Sequence, residues 1–181
     1  MKVVCFTGYS GAGKTTLMTQ VISLLRARGQ TVSVLKHAHA GFDLDRPGKD
    51  SWRHREAGAT EVLIASRHRL ALLREIRQSD FADASDPHAL LAELDARVDW
   101  ILVEGFRHSD LPKVEVWRDV LRDPPHLDAH VLALVTDAAA RLPQPVALPV
   151  LDINQPQAVL EWLLAQGARL AYTPPLNPLC P

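Results

Sequence analysis

An α/β fold with a mostly parallel sheet flanked by helices is predicted by three observations. A short β-branched run, Lys2 to Thr7, is followed at once by glycine-rich polar residues and then by a stretch with helical spacing. A second apolar run, Thr31 to Leu35, follows that helix, and strand-helix-strand units of this kind close right-handed with parallel strands. Further continuous apolar runs at Trp100 to Val103 and Val131 to Val135 read as strands buried on both faces.

Taken in order, the first helix spans Lys14 to Arg28, with Leu17, Val21, Leu24 and Leu25 on its apolar stripe and Gly29 as its stop. Residues 36–49 are polar, rich in His, Gly, Asp and Pro, and carry no period of either kind, which marks a functional loop. A short helix from Asp50 to Gly58 comes next. Thr60 to Ala65 and Arg69 to Arg74 are two strands joined by Ser66, Arg67 and His68, an antiparallel hairpin excursion from the parallel sheet. Ala89 to Arg97 is expected to be helical, Val114 to Trp117 to be a shorter strand, Val146 to Ile153 a strand broken by Pro149, and Gln157 to Ala168 the last helix. Residues 1–172 are expected to form one domain, and the proline-rich tail 173–181 to be extended.

Composition bounds the function. The chain has 181 residues and is 47% hydrophobic, enough for one sizeable core. A formal net charge of -1 provides no global field for a nucleic acid or an anionic lipid surface, so any anion site is local. Cys5 and Cys180 have neither the density of a disulfide framework nor the spacing of a zinc knuckle, which suits a reducing, cytoplasmic setting. No apolar run reaches membrane-spanning length, and no secretory leader is expected.

Gly8-Tyr9-Ser10-Gly11-Ala12-Gly13-Lys14-Thr15 matches G-x-x-x-x-G-K-[ST], the Walker A pattern, between a strand and a helix. The loop amides and the helix dipole would cradle phosphates, Lys14 would reach the β- and γ-phosphates, and the Thr15 hydroxyl is placed for magnesium. Glu104 ends the run Trp100 to Val103 and is the candidate carboxylate, either for the magnesium shell or for positioning water. Gly105 beside it would let backbone approach a γ-phosphate. His37 and His39 share a face of the chain after the second strand and are candidates for ligand or metal contact, although two imidazoles without a third ligand suit a polar loop better than a metal site. Asp43, Asp45, Lys49 and Asp50 add charges that suit a substrate, a metal, a partner or solvent. Asp137 follows a strand end where a guanine base could donate to it, but the Asn-Lys-x-Asp motif is absent.

The phosphate loop with Thr16 and Leu17, the segment Lys36-His37-Ala38-His39, the stretches Phe42 to Ser51 and Arg53 to Ala59, and Leu102-Val103-Glu104-Gly105-Phe106-Arg107 together resemble the molybdopterin-guanine dinucleotide biosynthesis protein B (MobB) family. Pro112-Lys113-Val114-Glu115-Val116 also resembles a family strand. Ala40 stands where the family often has a further histidine. The resemblance implies a P-loop NTPase fold and a slowly hydrolysing, GTP- and Mg2+-binding homodimer. It further implies an accessory role to a separate guanylyltransferase that joins GMP to molybdopterin, with the hairpin supplying dimer contacts. A small-molecule kinase, with Arg118 and Arg122 closing over phosphates, and a metallochaperone GTPase using His37 and His39 are the competing readings.

Overall fold

The computed structural model describes residues 1–38, 41–76, 86–121 and 123–175. They divide into two compact units, one formed by Met1–His37 with the chain from Pro87 onward, the other by Ala38–Asp86.

The first unit is a six-stranded sheet in which every pairing is parallel. Its strands are β1 (Lys2–Thr7), β2 (Val32–Lys36), β5 (Trp100–Glu104), β6 (Lys113–Trp117), β7 (Val131–Thr136) and β8 (Val150–Asp152), in the order β2-β5-β1-β6-β7-β8. β1 lies inside the sheet and is covered on both faces, which is why Val3 through Phe6 form an unbroken apolar run with no polar alternation. Val4 and Phe6 join a core with Leu102, Val114, Leu17, Val21, Leu160 and Leu163. Val3 and Cys5 point the opposite way, toward Ile101, Val103, Leu91 and Phe106. Burial pushes the Cys5 thiol up to about 12, so this cysteine behaves as a small apolar side chain.

Helix α1 (Lys14–Ala27) buries Leu17, Met18, Val21 and Leu25 and packs beside the last helix, α4 (Pro156–Ala165), whose Val159, Leu160 and Leu163 complete that face. Pro156 at the start of α4 costs no hydrogen bond, because the first helical N–H groups have no partner within a helix. α4 stops at Ala165, short of the expected Ala168, and a 3-10 turn over Gly167–Leu170 follows. The expected helix over Ala89 to Arg97 is instead α3 (Pro87–Ala92). Asp95 captures the Arg97 backbone N–H at 2.9 Å, a local alternative to helical pairing that ends the helix early. Only Val150–Asp152 of the expected strand Val146 to Ile153 forms, starting after Pro149, whose carbonyl still accepts from Leu134 N at 2.9 Å.

The second unit holds helix α2 (Asp50–Glu56) and the antiparallel pair β3 (Glu61–Ala65) and β4 (Leu70–Arg74), as the hairpin signal predicted. Leu63 faces Leu72 and Ala65 faces Leu70 across the ladder. The side chains on that face are exposed, Leu63 at 60%, Leu70 at 66% and Leu72 at 43%. The unit is tied by Arg55, which donates to Asp43 at 2.9 Å, Glu75 at 2.9 Å and Asp45 at 3.4 Å. Hydrogen bonds from Arg55 hold the Asp43 carboxyl below its ordinary range. Residues 41–49 are irregular, as their composition predicted.

Among the described residues, no helix is long and apolar enough to cross a membrane.

Candidate functional site: a phosphate loop beside an acidic strand end

β1 stops at Thr7 and α1 begins at Lys14, so residues 8–13 form the connection that the pattern predicted. Gly8 sits at φ 134, and a Cβ there would stand 2.1 Å from the Val116 carbonyl oxygen of β6. No side chain fits between these two backbones, so the first glycine is dictated by packing as well as by φ. Gly11 and Gly13 are also left-handed, at φ 80 and φ 93, and Ala12 N closes a turn onto the Tyr9 carbonyl at 3.2 Å. The helix opens with Leu17 N donating to the Gly13 carbonyl at 3.0 Å. The first N–H groups of a helix have no carbonyl within it to meet, which leaves them available to an anion.

Lys14 curls back over this loop and donates from Nζ to the Gly8 and Tyr9 carbonyls, each at 2.9 Å. Partial burial lowers its pKa; Glu104 and Glu115 act in the opposite sense, while Arg107 and Lys36 add to the lowering. The lysine therefore lies in a cluster of charges of both signs.

The second half of the site comes from β5. Parallel registers place Glu104 opposite Phe6 of β1 and opposite Lys36 of β2, at the carboxyl ends of all three strands. Thr15 Oγ1 donates to Glu104 Oε1 at 2.8 Å, and Lys36 Nζ lies 3.3 Å from Glu104 Oε2. A hydroxyl and a carboxylate in direct contact at the mouth of a phosphate loop are hard oxygen donors of the kind magnesium takes, so these residues fit that ion. The chain then turns sharply. Gly105 lies at φ 105, with room for a Cβ denied by the His37 Cβ at 3.0 Å, and Phe106 adopts φ 51, a left-handed conformation that is costly for an aromatic residue. The Phe106 ring meets the His37 ring at 4.6 Å between centroids, and His37 N donates to the Glu104 carbonyl at 2.9 Å. His37 thus buttresses the turn after the acidic strand end.

The remaining predicted residues are distributed unevenly. Tyr9 stacks under the Arg107 guanidinium at 4.2 Å. Ser10 and Thr16 are exposed, beside the loop crest and in the first turn of α1. Asp137 accepts from Arg118 Nε at 2.7 Å. The Arg118 stem approaches α1, with Cδ 4.0 Å from where a Gly13 Cβ would be. Arg118 is therefore paired with Asp137. Asp45 belongs to the second unit, where it accepts from Ser51 Oγ at 2.7 Å and from Arg55. His39 and Arg122 lie outside the described residues. Among the described residues, no group of at least three His, Cys, Asp or Glu side chains could hold a metal ion by themselves.

Two residues carry more of the site than the sequence analysis assigned them. Lys36 enters through its register opposite Glu104, which no local motif discloses. Glu115 is fully buried on β6, accepting from Thr7 Oγ1 at 2.6 Å and from His126 N at 3.1 Å. The signal available for it was a charged residue between Val114 and Val116 inside a strand.

A glycine loop between a strand and a helix, with a lysine over its crest and a threonine touching a carboxylate from the neighbouring parallel strand, is the arrangement of a P-loop fold. Comparison with known proteins narrows the class. The family described as molybdopterin guanine dinucleotide synthesis protein B matches residues 3–137. The molybdopterin-guanine dinucleotide biosynthesis adapter protein of Escherichia coli K12 is 36% identical over 173 residues, covering 91% of this chain and 95% of its own. The adapter protein of the same description from Haemophilus influenzae is 37% identical over 159 residues, 87% of this chain and 84% of its own. The crystal structure of a MobB homolog from Bacillus stearothermophilus matches at a TM-score of 0.61 and 26% identity, over 92% of this chain and 97% of the other. The crystal structure of Bacillus subtilis MobB, at 22% identity and a TM-score of 0.68, shows the same fold over 96% of this chain and 100% of the other. The chain belongs to the molybdopterin-guanine dinucleotide synthesis protein B family.

Proposed function

We propose that this protein is a GTP-binding adaptor in the biosynthesis of molybdopterin guanine dinucleotide, assisting a separate guanylyltransferase that attaches GMP to molybdopterin. The observation that carries the nucleotide half is the contact of Thr15 with Glu104 at 2.8 Å beside a loop capped by Lys14. The pathway half rests on family membership and on relatives whose names describe adapter proteins.

In this reading the amides of residues 8–13 and the start of α1 bind the phosphates. Lys14 exchanges the Gly8 and Tyr9 carbonyls for β- and γ-phosphate oxygens, and Thr15 and Glu104 hold magnesium, directly or through water. Magnesium, when bound, neutralises charge shared between the β- and γ-phosphates. Asp137, held in place by Arg118 near α1, is the group offered to the N1 and N2 donors of guanine. In this reading Glu104 is committed to magnesium and is not offered as a base toward water, which supports slow hydrolysis. The exposed leucine face of the β3-β4 hairpin supports a homodimer as the working form, since Leu63, Leu70 and Leu72 would otherwise stay in water.

The test is Lys14→Ala, followed by calorimetric titration with Mg2+ and GTP and by reconstituted guanylyl transfer. The variant is expected to keep its thermal midpoint, to lose about 100-fold in triphosphate affinity, the scale of a few charge-assisted hydrogen bonds, and to stop stimulating the transferase. Unchanged GTP binding would refute the site. Normal binding without any effect of the wild type on guanylyl transfer would refute the adaptor role.

A further inference from the structure

We infer that Lys36 is a second phosphate-reading cation, released from Glu104 when magnesium arrives and passed to the γ-phosphate, so that this site distinguishes a nucleoside triphosphate from a diphosphate. The inference rests on the nucleotide-binding reading above and adds to it a residue at the end of an edge strand.

Lys36 is the last residue of β2, which borders the sheet, and it pairs in register with Glu104. Its ammonium lies 3.3 Å from Glu104 Oε2, on the carboxylate oxygen that Thr15 does not use. The carboxylate is thus shared between the hydroxyl that faces the metal position and an ammonium on its other side. The Lys36 side chain is 58% exposed and its hydrogen-bonding end is held by nothing but this ion pair among the contacts of the described residues, so leaving costs little. A lysine on a flexible four-carbon stem is suited to such a move, where a forked arginine would not be.

The charges decide the direction. Glu104, Glu115, Arg107 and Lys36 are each close enough to act on Lys14. If Thr15 and Glu104 held a divalent cation, the Glu104 carboxylate would no longer need the ammonium for its neutralisation, and Lys36 would be repelled from it. The nearest new anion would be the γ-phosphate, which Lys14 also reaches, because the loop amides would hold the inner phosphates, with Thr15 and Glu104 the residues that would hold magnesium. A diphosphate leaves Lys36 with no such partner. Triphosphate and magnesium therefore reinforce each other through one side chain, and the end of β2 moves its charge only when both are present.

The experiment compares the affinities of GDP and a non-hydrolysable GTP analogue for the full chain, with Mg2+ and with EDTA, in the wild type, Lys36→Met and Lys36→Arg. The expected result is that Lys36→Met binds GDP like the wild type but loses about tenfold in affinity for the triphosphate analogue, only with Mg2+, the size of one charge-assisted hydrogen bond. Lys36→Arg is expected to restore part of that loss. An equal loss for both nucleotides, or an unchanged preference for the triphosphate, overturns the inference. Lys14→Ala run alongside separates the failures: if it loses both nucleotides while Lys36→Met changes neither, the phosphate loop stands and only the role of Lys36 falls.

Discussion

The parallel sheet and the β3-β4 hairpin solve the burial of apolar strands in opposite ways. In the sheet, β1 and β5 are covered on both faces, and Val3, Val4, Ile101 and Leu102 have no accessible surface. In the hairpin, apolar side chains remain in water, Leu63, Leu70 and Leu72 on one face and Ile64 on the other, and the order of its unit leans on Arg55 and its carboxylate partners. A two-stranded ribbon has no second layer of its own and is marginal alone. The difference separates strands buried on both faces from a ribbon whose apolar side chains stay accessible.

Three measurements would break or sharpen that contrast. The largest effect is expected from Leu102→Ala, which empties a position packed between α1, β1 and β2: about 2–5 kcal/mol by denaturant unfolding. Leu72→Ser, an equally apolar position by sequence, should cost the monomer no more than about 0.5 kcal/mol, while shifting sedimentation toward monomer. Equal losses for the two would erase the distinction.

A second, smaller effect concerns the buried carboxyl of Glu115. Burial raises its pKa above the ordinary 4.5, against the opposing hydrogen bonds from Thr7 and His126 N. A raised carboxyl contributes stability that is complete below the ordinary glutamate value and is lost as the pH climbs through the higher folded value. Urea midpoints of the wild type should therefore decline relative to Glu115→Gln as the pH is taken upward through that window. A parallel course of the two proteins would show that the carboxyl titrates normally. The smallest global effect is expected from Arg55→Ala. Hydrogen exchange should quicken within residues 43–76 while the thermal midpoint stays where it was, because the partners of Arg55 all belong to the second unit.

Family membership supplies the setting of these regions. The relatives are described as molybdopterin-guanine dinucleotide biosynthesis adapter proteins.

What the chain alone determined was whatever depends on neighbours in sequence. The phosphate loop was legible because glycine spacing, Lys14 and Thr15 act within one turn of chain, and the hairpin because Ser66 to Arg69 closes locally, with Ser66 N donating to the Arg69 carbonyl at 2.7 Å. Glu104 was legible from its place at the end of an apolar run. The shortened α3 was not, since the Asp95 side chain competes with helix formation on equal local terms. Other features were decided by the packed sheet: that Glu104 touches Thr15 and Lys36 together, that Asp137 is claimed by Arg118, and that Glu115 is buried against Thr7. Those contacts join residues far apart in sequence, and their distances follow from parallel strand register, which local pattern predicts only as a class and tertiary packing specifies residue by residue.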